Sequence, residues 1–103
     1  MAVAKFYPVV AAGNGSKNTL YAATITGGAT SGVITTGNNM LIRIAAVNPV
    51  TVRFGSAGTL TTADATDILV IGSEIFDMGQ NNNSIVIYAP ATTLVSASVV
   101  VRN

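Results

Sequence analysis

Along most of this chain apolar and polar residues alternate one for one, the two-residue period of a strand with one buried face. No window shows the longer period of an amphipathic helix. The first candidate strand, Val3 to Val10, contains Pro8, which has no N–H to give to a ladder. Such a strand belongs at a sheet edge or in an extended arm. Ala11 to Asn18 (AAGNGSKN) reads as a glycine-rich linker, which divides the chain into an arm plus linker over 1–18 and a β domain over 19–103. Leu20 to Thr26 makes a second strand, closed by Gly27 to Gly32 (GGATSG). Val33 to Thr36 is a short strand, and Gly37-Asn38-Asn39 makes a tight turn because Gly and Asn tolerate positive φ.

The sharpest local pattern follows. Met40, Ile42, Ile44 and Ala46 share one face with Arg43 on the other, and Asn48-Pro49 is a turn signal. Val50, Val52 and Phe54 then point inward, with Thr51 and Arg53 outward. Two strands meeting at so short a turn predict a β-hairpin. Gly55 to Asp67 (GSAGTLTTADATD) is a long loop, and Ile68 to Ile71, apolar throughout, suits a strand buried on both faces. Glu74 to Met78 is a further short strand and Gly79 to Asn83 (GQNNN) a polar loop. Ile85, Ile87 and Ala89 alternate with Val86 and Tyr88 before a turn at Pro90. In the last strand, Leu94 to Val101, the residues Val95, Ala97, Val99 and Val101 oppose Ser96 and Ser98. About eight short strands at close spacing predict an all-β fold, an antiparallel β-sandwich or closed barrel of jelly-roll type.

Composition adds a constraint on the surface. A chain of 103 residues is long enough to bury one core, yet half of it is apolar and only 9% is charged. The surface must therefore carry Thr, Ser, Asn, Ala and some exposed aliphatics. Apolar surface on a small domain marks contacts with other chains, which predicts a homo-oligomer. Lys5, Lys17, Arg43, Arg53 and Arg102 are scattered and the net charge is +1, so no nucleic-acid footprint is present. The absence of cysteine removes disulfides and thiolate metal sites. No stretch approaches the roughly 18 apolar residues of a membrane span, and Lys5 and Pro8 interrupt any signal-peptide run. Synthesis in the cytoplasm and no membrane partner are the expectation.

Candidate chemistry is sparse. Asp64 and Asp67, among Thr61, Thr62 and Thr66, are the one carboxylate cluster in a loop. Oxygen ligands in a loop suit calcium, but the spacing matches no EF-hand. Asx-turns to nearby backbone N–H groups account for the cluster better, and no metal or other cofactor is expected. Glu74 and Asp77 form a conceivable acid–base pair with no nucleophile beside them. The chain has no histidine to deprotonate a Ser or Thr, so no catalytic residue is assigned and no enzyme is expected. Tyr7, Tyr21 and Tyr88 suit packing better than sugar stacking, and Asn81 to Asn83 reads as a solvated loop tip.

Residues Met40 to Val101 carry a wider pattern: an aliphatic strand, a short turn, Val52-Arg53-Phe54-Gly55, the loop Thr61 to Asp67, Asp67-Ile68-Leu69-Val70, and the Val/Ser strand Leu94 to Val101. This pattern, about three fifths of the chain, resembles small head-associated virion proteins of tailed bacteriophages. Ile71-Gly72 stands where such proteins often have Pro-Ala. The resemblance implies a capsid decoration, or cement, protein on the virion surface, with the major capsid protein as partner and a trimer as the oligomer. A head-surface module recognising host glycans, or another minor head component, is the alternative. The arm reading makes Val3, Phe6, Tyr7, Val9 and Val10 the expected partner-contact residues.

Overall fold

The computed structural model describes residues 19–56 and 58–100, and within them the chain forms eight β-strands and no helix. They are β1 (Thr19–Ile25), β2 (Ala29–Thr35), β3 (Leu41–Ala46), β4 (Val50–Gly55), β5 (Ile68–Val70), β6 (Ser73–Asp77), β7 (Ser84–Ala89) and β8 (Thr93–Val100). They build two four-stranded sheets, β1-β8-β3-β6 and β2-β7-β4-β5, antiparallel at every pairing. The arrangement is a two-sheet sandwich. It is not a closed barrel, because each sheet ends in strands paired on one side among the described residues: β1 and β6 in one, β2 and β5 in the other. The segment 1–18, with the expected strand Val3 to Val10, lies outside the described residues.

Two-residue periodicity accounts for the core. Ile42 and Ile44 of β3 and Val95 and Ala97 of β8 face inward from one sheet; Val50 and Val52 of β4 and Ile85 and Ile87 of β7 face them from the other. Ile25, Ile34, Val70, Met78 and Ala89 complete the same cluster, and all of these side chains are buried. Phe54 and Phe76 meet at its margin with ring centroids 5.0 Å apart.

The expected hairpin at Asn48-Pro49 is absent. β3 pairs with β6 and β8, whereas β4 pairs with β5 and β7, so the turn carries the chain over the core from one sheet to the other. The same holds for every connection except β4 to β5. A short turn after an amphipathic strand serves either geometry; the choice follows from which edges the other strands leave open.

These cross-sheet turns are tied together at both ends. At one end the Thr92 hydroxyl accepts from Gly27 N (2.9 Å) and the Thr93 hydroxyl from Asn48 N (2.8 Å), while Asn48 Nδ2 donates to Thr92 O (3.0 Å). A Cβ on Gly27 would lie 3.1 Å from Thr92 N, so any larger residue would push this backbone contact apart by a few tenths of an ångström. At the other end Asn39, with φ of 56°, donates its N–H to Gly79 O (2.7 Å). There Asn83 O accepts from Thr36 N and Gly37 N, and Asn38 Nδ2 donates to Gln80 O. The asparagine run is thus part of the framework rather than a free loop tip.

β2 begins earlier than Val33 because a bulge at Ser31-Gly32 absorbs the glycine, whose φ is 77°. The Ser31 hydroxyl accepts from Ile87 N at 3.0 Å and so replaces a ladder bond the bulge interrupts.

Candidate functional site

The loop after β4 folds across the outer face of the β2-β7-β4-β5 sheet. Leu60 and Ala63 pack on the buried Val86 with Tyr88 beside them, a second small core. Gly55 permits this, since a Cβ there would stand 3.1 Å from Leu60 Cβ. Farther along, Thr51 Oγ1 donates to Asp64 O (2.7 Å).

Asp64 and Asp67 close the loop. Asp64 Oδ1 accepts from Thr66 N (2.9 Å) and Thr66 Oγ1 (2.6 Å), and Asp67 Oδ2 accepts from Asp64 N (2.8 Å). Arg53 fills the remaining positions, with Nε donating to Asp67 Oδ1 at 2.8 Å and Nη2 to Asp64 Oδ2 at 3.3 Å. All four carboxylate oxygens therefore accept bonds from the protein, and a guanidinium supplies the positive charge. The Thr66 bonds, with Arg53 adding to them, hold the Asp64 carboxyl below its ordinary range. The Arg53 bond does the same for Asp67, and the pair raises Arg53 in turn. This is a clasp on a loop. Among the described residues no cluster of three or more metal-ligating side chains occurs.

The other sequence candidates separate. Glu74 pairs across from Ile44 and Asp77 across from Leu41, so the pleat of β6 puts them on opposite faces and they form no acid–base pair. Tyr21 packs on the main core and Tyr88 on the small one, which leaves neither ring as a stacking platform. Val3, Phe6, Tyr7, Val9 and Val10 lie outside the described residues.

What the described surface offers instead is aliphatic. Ile68 (51% exposed), Leu69 (53%) and Ile71 (65%) correct the expectation of a strand buried on both faces. β5 is an edge strand with only Val70 in the core. On the other sheet, Val47 (74%) and Leu94 (61%) rim a shallow groove of about 410 Å³ whose floor includes Ala22, Ala45 and Ser96. Val47 N donates to Leu94 O (3.1 Å) and Ala46 N to Gly72 O (2.8 Å), so Leu94, Val47 and the Ile71-Gly72 corner lie in one row. Strand parity already marked Leu94, which alternates with the inward Val95 and sides with Ser96 and Ser98; Val47, beyond a strand end, carried no such signal. Comparison with protein families, curated proteins and solved structures finds no match to this chain.

Proposed function

We propose that this chain is a structural virion protein of a tailed bacteriophage, a decoration protein that binds the outside of the assembled capsid through the major capsid protein and stabilises it. In this reading it works as a homo-oligomer, a trimer by analogy with three-fold capsid positions, and catalyses nothing. The observation that carries the reading is the row of exposed aliphatics on a sandwich whose loop carboxylates are already engaged. Such a surface is suited to docking on protein. The strand order β1-β8-β3-β6 over β2-β7-β4-β5 supports a jelly-roll form of the sandwich, an architecture used by viral capsid and lectin domains. The resemblance of Met40 to Val101 to head-associated virion proteins points the same way.

The test is co-sedimentation of the purified protein with expanded empty phage capsids, beside a glycan array. Saturable capsid binding is expected. Glycan binding without capsid binding would replace this reading by a host-recognition module.

A further inference from the structure

The outer face of the β1-β8-β3-β6 sheet is open at one end and closed at the other. Toward the Val47 corner Leu94 is exposed, as is Ala22 beside it on β1. Toward the opposite end Leu41 of β3 and Val100 of β8, direct cross-strand partners, are only 7% and 4% exposed. Strand parity puts both on the outer face, because their neighbours Ile42 and Val99 turn to the core. Neither belongs to the main core or to the small one. Arg43, the next residue on that face of β3, has its Nε shut off from solvent as well. Partners within a sheet flank an outward side chain but do not roof it, so chain must lie over this end. Among the described residues the one long loop, after β4, crosses the other sheet, and the remaining connections are short turns.

We propose that residues 1–18 of the same chain form a strap across this closed end, with apolar side chains among Val3, Phe6, Val9 and Val10 resting on Leu41 and Val100. Three observations favour this occupant. Thr19 pairs with Ser98 in an antiparallel ladder, so the chain before Thr19 leaves β1 at the Val100 end of the sheet. Eighteen residues reach up to about 60 Å when extended, ample to cross two strands. The alternative, 101–103, continues from β8 and is too short to turn back, since a reversal alone takes four residues. Charge agrees: Lys5 is the one charged side chain among residues 1–16, and Asp77, opposite Leu41, faces the same side. The strap takes these apolar residues out of the set available to a partner and leaves the Val47–Leu94 end and the β5 edge as the aliphatic surface for docking.

The chain has no cysteine, so single introduced thiols report alone. In the full chain Val100→Cys should react with a thiol reagent at least about tenfold more slowly than Leu94→Cys, because the strap must open first. A nitroxide attached to Ala4→Cys should broaden the NMR signals of Leu41, Arg43 and Val100. It should leave Ile68 and Leu69, on the far edge of the other sheet, sharp. Isotope-labelled wild-type chain mixed with unlabelled nitroxide-bearing chain should show no such broadening, since the strap covers its own sheet. The proposal is overturned by equal thiol rates at the two positions or by broadening that misses Leu41 and Val100. Equally strong broadening in the mixed sample overturns it too, by assigning the cover to a second copy. None of these readouts involves capsids, so failure of capsid sedimentation defeats the decoration reading alone and leaves the strap standing.

Discussion

Arg53, Asp64 and Asp67 show how a few side chains hold a long loop on a sheet. Both carboxyls are held below their ordinary values, so the unfolded chain binds more protons than the folded one in acid. Their contribution is complete above the unfolded carboxylate value of about 3.9 and is lost as pH falls from there through the lowered folded values. A thermal melt series should therefore show a midpoint that is level near neutrality and drops below about pH 4. Asp67→Asn should start from a lower midpoint and lose less of it in acid. Identical pH profiles for the two proteins would show that the clasp contributes nothing. Deeper in, Ile44 and Ile87 are fully buried, and Ile87→Ala should destabilise by about 2–5 kcal/mol in denaturant titrations.

The connections matter as much as the strands. Gly55 sits where the loop turns back, and a larger side chain must displace Leu60. Gly55→Val is expected to cost about 1–3 kcal/mol, with Leu60→Ala in the same chain recovering part of it. Strict additivity in that double-mutant cycle would place the strain elsewhere. Thr93 plays the matching part at the sandwich end, accepting from Asn48 N across two cross-sheet turns. Thr93→Val keeps the shape and removes the acceptor, an expected loss of about 1 kcal/mol at a part-buried site. An unchanged denaturation midpoint would mean that the turns hold without it.

For the molecule as a whole the question is what its apolar surface meets. With a net charge of +1 and the Arg53 charge met by Asp64 and Asp67, long-range attraction is nearly absent. Screening weakens exposed ion pairs but leaves hydrophobic contacts intact. Binding to capsids should thus change little between low and near-molar salt; a loss of orders of magnitude would put the basic residues at the interface. Deleting residues 2–12 separates the two roles open to Val3, Phe6, Tyr7, Val9 and Val10. If they contact a partner, the thermal midpoint stays and oligomer or capsid affinity falls. If the shortened chain unfolds, they belong to the sandwich itself.

Strand parity was legible because it is local. The pleat alternates sides whatever the neighbours are, so the inward sets Ile42/Ile44, Val50/Val52, Ile85/Ile87 and Val95/Ala97 followed from the sequence alone, and with them the all-β class. The self-contained bonding of the Asp64–Asp67 loop was legible for the same reason, its Asx contacts spanning two and three residues. Arg53 as their cation was not, since eleven residues separate it from Asp64. Nor was the pairing of β3 with β6 and β8 instead of β4, because partner choice depends on strands far along the chain. Ile68 to Ile71 makes the same point: an apolar run is buried on both faces only with neighbours on both sides, and the tertiary structure put β5 at an edge, where Val70 reaches the core and Ile68, Leu69 and Ile71 stay exposed.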